Sequence, residues 1–431
     1  METIRNVLNA FKLPDLRRKI LFTLAMLVVY RFAAHIPVPG VDTDALKQLF
    51  QSNQLLGLLD MFSGGAMSSL SVVAMGVYPY ITASIIMQLL LPLIPPLERL
   101  AQEGEAGQAK IGLITHIMTV PMAGLQAIGQ MAIFTRGETP AIQNFNLFSA
   151  DTFLPSFATI ITLAAGTMFA VWLGELITEQ GIGNGISIII FGGIAARIPQ
   201  SVAQNLQTNI PGLIAFVVIG VITVAAIVFI YEGQRRIPVQ YGRRVRGTKI
   251  YGGQSTHIPL KVNSAGMIPL IFASSILIFP GVIAGYFLYS DTQVVANIAQ
   301  GIVSIFNQQM VFYWILYFMM VVGFTYFYTD IIFQQQNMPE NLQKHGGFIP
   351  GIRPGARTAE YLNRVLRRIT LAGALFLGAV AVLPFFVSSF TPVQQMIITS
   401  TGLLIVVGVV IDTMKQLEAQ LLMRHYEGFL K

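Results

Sequence analysis

Long apolar runs recur along the whole chain, separated by short polar or basic connections. Ten can be marked, at about 20–36, 72–94, 111–134, 153–178, 183–200, 211–231, 266–288, 309–333, 369–388 and 393–413. Each approaches the ~20 helical residues that cross ~30 Å of hydrocarbon. Helix is the expected form, because an open strand would leave backbone amides unpaired in lipid. The pattern predicts an all-α polytopic membrane protein with ten transmembrane helices.

Two of the runs share a text. Residues 76–86 read GVYPYITASII and residues 266–276 read GMIPLIFASSI, matching at Gly76/Gly266, Pro79/Pro269, Ile81/Ile271, Ala83/Ala273, Ser84/Ser274 and Ile86/Ile276. A recurrence at this spacing points to a chain built twice. Ten spans divide into two five-helix halves, and an odd number of spans per half inverts the second half relative to the first. Gly/Pro-interrupted segments at matching places in inverted halves point to a working site between them. The expected organisation is a cytoplasmic N-terminal segment at 1–19, a first half at 20–205, a second half at 206–414 and a cytoplasmic tail at 415–431.

Charge fixes the orientation. With the N-terminus inside, 23 of the 27 lysines and arginines fall on the inner side; only Arg31, Lys47, Arg136 and Arg197 fall outside. This is the positive-inside pattern, with both ends cytoplasmic. Composition agrees: 54% of residues are apolar and 11% charged, with mean hydropathy +0.65, against about 25% charged in soluble domains. The start, METIRNVLNAFKLPDLRRKI, is too polar to read as a cleavable signal peptide. The lack of cysteine excludes disulfides, thiolate metal sites and cysteine nucleophiles.

Three connections are longer than topology requires. The stretch from about Leu55 to Leu70 is apolar but too short to span, and Gly64 and Gly65 break it. By pattern it is either a re-entrant piece lining a cavity or an amphipathic helix on the outer surface. The loop 232–262 carries seven basic residues against Glu232, and its alternating stretches around glycines predict a protruding hairpin. The loop 334–368 carries six basic residues against Glu340 and Glu360. Arg243, Arg244, Arg246 and Arg353 suit a phosphate backbone or the carboxylates of a partner; attraction to anionic lipid is the plainer alternative.

The spans offer little chemistry. Glu175, Asp330 and Asp412 lie near span ends. His116 is the one histidine well inside a span, and no serine or carboxylate stands out as its partner, so a satisfied core histidine is the expected reading. No metal-ligand spacing, phosphate loop or nucleophile elbow is present, and GIGNGIS at 181–187 reads as a tight turn between spans four and five. The lack of mid-span carboxylates argues against an ion-coupled small-solute transporter, and an intramembrane hydrolase would have to rest on His116. The spans do offer isoleucines in register: Ile81 with Ile85, Ile186 with Ile190, and Ile268 with Ile271. Ser84, Ser274 and Ser275 are small enough for close helix approach.

Several strings carry a resemblance: MFSGGAMS at 61–68, PYITASIIMQLL at 79–90, EQGIGNGISIIIF at 179–191, QSTHIPLKVN at 254–263, PLIFASSILIFP at 269–280 and FIPGIRPG at 348–355. With these the chain resembles the bacterial SecY family, the central subunit of the Sec protein-conducting channel, from about Asp15 to Glu427. The resemblance implies an hourglass of two clamped halves and no enzyme activity or cofactor. It implies a pore ring of Ile81, Ile85, Ile186, Ile190, Ile271 and Ile405. It implies a plug over about 55–70, including Leu58, Met61, Phe62, Gly64, Gly65 and Met67. It implies a lateral gate where spans two and three face seven and eight, with Gln88, Asn263, Ser274, Ser275 and Phe279 as gate residues. Arg243, Arg244, Arg246, Arg353 and Arg357 would dock the ribosome, through its RNA, or the motor ATPase SecA. Small single-span subunits, SecE and SecG, signal peptides, nascent chains and membrane lipids complete the implied partners, and the implied location is the cytoplasmic (inner) membrane.

Overall fold

Each of the ten apolar segments contains helix among its described residues. The computed structural model describes residues 13–39, 41–42, 45–46, 63–135, 142, 145, 150–208, 210–241, 244–246, 249–251, 255–287, 292–306, 310–335, 338–390 and 400–429. In chain order the helices are α1 (Pro14–Ala33), α2 (Tyr78–Leu90), α3 (Pro95–Gln102), α4 (Glu105–Thr135), α5 (Ala150–Gln180), α6 (Gly185–Thr208), α7 (Ile210–Glu232), α8 (Ile268–Phe287), α9 (Gln293–Ile305), α10 (Val311–Gln335), α11 (Met338–Lys344), α12 (Ala356–Phe390) and α13 (Ser400–Phe429). Among the described residues α4, α5, α10 and α12 are long and apolar enough to cross a membrane alone, and α2 with α3, bent by 103°, makes a fifth candidate. The chain is thus a mostly helical, multi-pass membrane protein in which four or five crossings meet that test.

The exposed side chains suit that setting. On α1, Leu21, Leu24, Val28 and Phe32 recur at helical spacing and are exposed, while Leu16, Thr23 and Tyr30 are buried on the other side. Such a stripe would be an aggregation hazard in water and is the natural contact with lipid.

The chain gathers into two compact units. The first comprises Met1–Ile214, Ser275–Tyr313 and Gln395–Lys431. In it α2 lies against α4, α4 against α5, α5 against α6, and α1 and α13 against α6. One core buries Leu46, Met67, Leu70, Met75, Ala123, Ala127, Met131, Phe134 and Leu163. A second, small cluster joins Leu16 of α1, Ile182 of the α5–α6 turn and Leu417 of α13. The turn expected over 181–187 is present but shorter, at 181–184, with helix from Gly185: Asn184 Oδ1 accepts from Ser187 N (3.1 Å), and Thr178 Oγ1 accepts from Gly185 N (2.9 Å).

The second unit comprises Ala215–Ser274 and Trp314–Gln394. Here the all-α expectation needs correction. Residues 234–261 form the antiparallel pair β1 (Gln234–Tyr241) and β4 (Ser255–Lys261), in the place of the expected hairpin. Between them β2 (Arg244–Arg246) pairs with β3 (Lys249–Tyr251). A two-residue strand from the other basic loop, β5 (Gly347–Phe348), adds to β1 and gives the order β4-β1-β5. The inward side chains Ile237, Val239 and Leu260 pack with Phe333, Ile349, Leu362 and Leu366. Period-two burial along β1 is what a sheet lying on helices requires.

Candidate functional site

The second apolar segment is expected to be helical from residue 72, but the helix begins only at Tyr78. Residues 63–77 form a chain of turns, and Ser63, Ala66, Met67, Leu70, Ser71, Val73, Ala74, Met75 and Val77 are all buried. Non-helical backbone in a membrane protein must find its hydrogen bonds inside the protein or along a wet cavity. Here α1 and its continuation supply them. Tyr30 Oη donates to the Ser63 carbonyl (3.0 Å), and Arg31 Nη1 donates to the Gly64 carbonyl (2.6 Å). Ser69 Oγ donates to the Ala34 carbonyl (3.2 Å). Val38 N donates to the Leu70 carbonyl and Val72 N to the Ile36 carbonyl, each at 2.9 Å. Of the two readings of this stretch, its described part is buried inside the protein and not laid on a surface.

The segment also presses on α6. A methyl group built on Gly64 would stand 2.6 Å from Gly193 Cα, and the φ of Gly64 is +68°. Both facts demand glycine. Leu70 holds φ +41°, a conformation that costs a non-glycine residue roughly 1–2 kcal/mol; its complete burial and paired carbonyl offset that cost. Of the six residues assigned to a plug, Gly64, Gly65 and Met67 lie in this held segment, while Leu58, Met61 and Phe62 lie outside the described residues.

The repeated texts open their helices in the same way. Gly76 and Gly266 both have left-handed φ, +52° and +64°, and Pro79 and Pro269 both fall in the first turn of the following helix. Ile81 and Ile85 are buried one turn apart on α2; Ile190 on α6, Ile271 on α8 and Ile405 on α13 are buried as well. Ile186 is half-buried, beside Gly174 of α5.

Four of the residues assigned to a gate are polar; Asn263, Ser274 and Ser275 are buried and Gln88 is half-buried. Asn263 Nδ2 donates to the Gly266 carbonyl (3.1 Å), but its Oδ1 is buried without a partner. Gln88 Nε2 reaches Ser84 Oγ at 3.5 Å, and Gln88 Oε1 is likewise buried and unpaired. Ser274 Oγ donates to the Ile271 carbonyl (2.9 Å), whereas Ser275 Oγ is buried without a partner. A contact joins the two repeated helices: Tyr78 Oη lies 3.4 Å from the Ser275 carbonyl, a long and weak hydrogen bond. Phe279 falls within α8.

The basic residues divide. Arg353 and Arg357 are exposed, and the Arg353 carbonyl accepts from Thr358 Oγ1 (3.0 Å), which fixes the turn that presents Arg353. Arg244 and Arg246 stand on β2, opposite Tyr251 and Lys249; Arg243 lies outside the described residues.

His116 does have a carboxylate partner. Its Nε2 lies 2.9 Å from Glu175 Oε1, and Tyr80 meets the ring edge-on at 5.4 Å. The partner comes from the neighbouring helix α5, so only the packing of α4 on α5 reveals it. Sequence reasoning also missed Tyr30, Arg31, Gly193 and Tyr78. A usable signal existed for two of them: Arg31 is an outer arginine at a span end, and Gly192-Gly193 is a small-residue pair inside an apolar run.

Comparison with known proteins agrees with the resemblance seen in the strings. The SecY family model matches residues 71–414. A protein translocase subunit SecY from Halalkalibacterium halodurans is 45% identical over 440 residues, covering 99% of this chain and 100% of the relative. Two solved channels share the fold. One is a SecY whose plug domain is described as stabilising the closed channel and maintaining a membrane seal (TM-score 0.64, 20% identity, 94% and 92% of the two chains). The other is Sec61 in a canine ribosome-channel complex (TM-score 0.60, 17% identity, 94% and 92%). The chain belongs to the SecY family of protein translocase subunits.

Proposed function

We propose that the chain is a passive protein-conducting channel of the cytoplasmic (inner) membrane. It passes unfolded preproteins across and releases transmembrane segments sideways into lipid. On this reading ten spans form two inverted halves with both termini cytoplasmic. Ile81, Ile85, Ile186, Ile190, Ile271 and Ile405 form a greasy waist. A ring of branched apolar side chains offers no fixed hydrogen-bond donors, so it can gate by dewetting and close around any passing sequence. The segment containing Gly64, Gly65 and Met67 is the plug in its seated position. α2 and α4 facing α8 and α10 form the lateral gate, with Gln88, Asn263, Ser274, Ser275 and Phe279 at its seam. Transfer of an apolar signal helix through it gains roughly 0.8 kcal/mol per buried methylene.

The observation that carries this reading is the buried, non-helical segment 63–77, pinned by Tyr30 and Arg31 and touching Gly193. A turn-built segment held by a few side-chain hydrogen bonds suits a stopper that stays seated at rest. The buried unpaired atoms of Gln88, Asn263 and Ser275 support a seam that gains partners when it opens. The driving force comes from a docked SecA motor or ribosome, gripped through Arg243, Arg244, Arg246, Arg353 and Arg357, with SecE and SecG as bound subunits. The ribosome-bound neighbour supports the ribosome as a partner, and the relative named a protein translocase subunit supports the translocation role.

The test is a stalled, half-exported chain crosslinked from photoreactive residues at Ile81, Ile271 and Ile405. Adducts at all three place the path through the waist. Adducts only at lipid-facing controls such as Leu24 and Val28 would remove the channel reading.

A further inference from the structure

Helix α9 has a surface that neither the waist, the plug nor the gate uses. Its sequence, QVVANIAQGIVSI, holds no charged residue. At about 1.5 Å per residue its 13 residues fall short of the ~30 Å needed to cross a membrane. At about 100° per residue they sort into three faces. Ala296, Ala299 and Val303 form one, with Ala299 buried at 3% exposure. Gln293, Asn297, Gln300 and Ser304 form a second, polar and exposed. Val294, Ile298 and Ile305 form the third, apolar yet 66%, 60% and 48% exposed, with Val295 at its margin.

Exposed apolar residues also stand at the helix ends that α9 joins along the chain. On the α8 side of the helix Ile283 and Phe287 are exposed; on the α10 side Met310, Val311 and Phe312 are exposed. All belong to the same compact unit as α9. In a multi-pass membrane protein, exposed apolar side chains at the ends of apolar helices face lipid. A helix that links two such ends along the chain, with an exposed apolar face, an exposed polar face and a buried one, fits the junction of bilayer, water and protein.

We propose that α9 is an interfacial lipid-binding helix, with Val294, Ile298 and Ile305 inserted into the acyl boundary of one leaflet. Its polar face is uncharged, so the attachment is by apolar insertion alone and does not select anionic headgroups. The leaflet is the outer one if the ten-span topology holds; that clause rests on the proposed topology, and the lipid contact does not.

The chain contains no cysteine, so a single introduced cysteine is unique. Ile298→Cys, Ile305→Cys, Asn297→Cys and Gln300→Cys are prepared in the full chain with its partner subunits. Each is labelled with an environment-sensitive fluorophore and placed in phosphatidylcholine vesicles with or without phosphatidylglycerol. The expected result is severalfold stronger quenching of the labels at 298 and 305 by a lipid-borne nitroxide than of those at 297 and 300, with the reverse order for aqueous iodide. Neither anionic lipid nor high salt should change the pattern. Equal iodide access at all four positions would place the face in water, and protection of 298 and 305 from both quenchers would place a protein subunit on it; either overturns the proposal. A requirement for phosphatidylglycerol overturns the claim of neutral insertion. Labelling of Asn297→Cys by an impermeant reagent in oriented membranes tests the sidedness alone, so a topological error and a failed lipid contact are told apart.

Discussion

Replacing Arg31 by glutamine should loosen the plug by an amount set by one contact. Arg31 Nη1 donates to the Gly64 carbonyl at 2.6 Å from a partly buried position. A hydrogen bond with one charged partner contributes about 1.5–3 kcal/mol, and each 1.4 kcal/mol is a factor of ten. The ratio of seated to displaced plug should therefore fall by roughly 10- to 150-fold. Tyr30→Phe removes the neighbouring bond to the Ser63 carbonyl, a neutral donor contributing about 1 kcal/mol, so a fall of roughly fivefold is expected there. The assay is single-channel conductance of the purified complex in planar bilayers without substrate, read as the fraction of time open. Export of a precursor with a defective signal, measured in parallel, should rise in the same order. If Arg31→Gln channels stay as silent as wild type and Arg31→Gln export is unchanged, the latch does not exist and segment 63–77 is held by packing alone.

Gly193→Ala should open the resting channel from the other side, since its new methyl would stand 2.6 Å from Gly64 Cα and overpacking costs typically about 1–3 kcal/mol; resting conductance at the wild-type level would contradict the contact. Ile405→Asn puts an amide where a fully buried isoleucine stands, and ion leak with relaxed signal selectivity is expected; an unchanged leak would take Ile405 out of the waist. Arg353→Glu should cut ATP-driven export at least tenfold while the chain still inserts and assembles. Thr358→Val, which removes the hydroxyl bonded to the Arg353 carbonyl, should cut export less, and equal effects of the two would show that the turn, not the guanidinium, makes the contact.

The helices were legible because apolar runs of span length admit few alternatives. The matched glycine-proline openings at Gly76 and Gly266 were legible too, since left-handed backbone followed by a first-turn proline leaves a text. The turns at 71–77 were hidden: Val72, Val73 and Ala74 are as apolar as the helix that follows, and nothing in a leucine announces the φ of Leu70. The bond from Arg31 to Gly64 depends on how the outer end of α1 meets the turns, and the pairing of His116 with Glu175 on the register of α4 against α5. Nothing in the text of the two basic loops announces that they pair. Gly347–Phe348 is too short to carry a strand period, so its pairing with Gln240 and Tyr241 had no signature.

That pairing makes a lever. Because β5 is stitched to β1 and β1 to β4, the two basic projections form a single plate. Val262, at the end of β4, donates to the Gly233 carbonyl and lies tight against Gly373 of α12. From there the backbone runs through Asn263 and Gly266 straight into α8. On the proposed docking role, a partner that takes hold of Arg353 would pull, through the strand ladder and the backbone, on the root of the helix carrying Ile271.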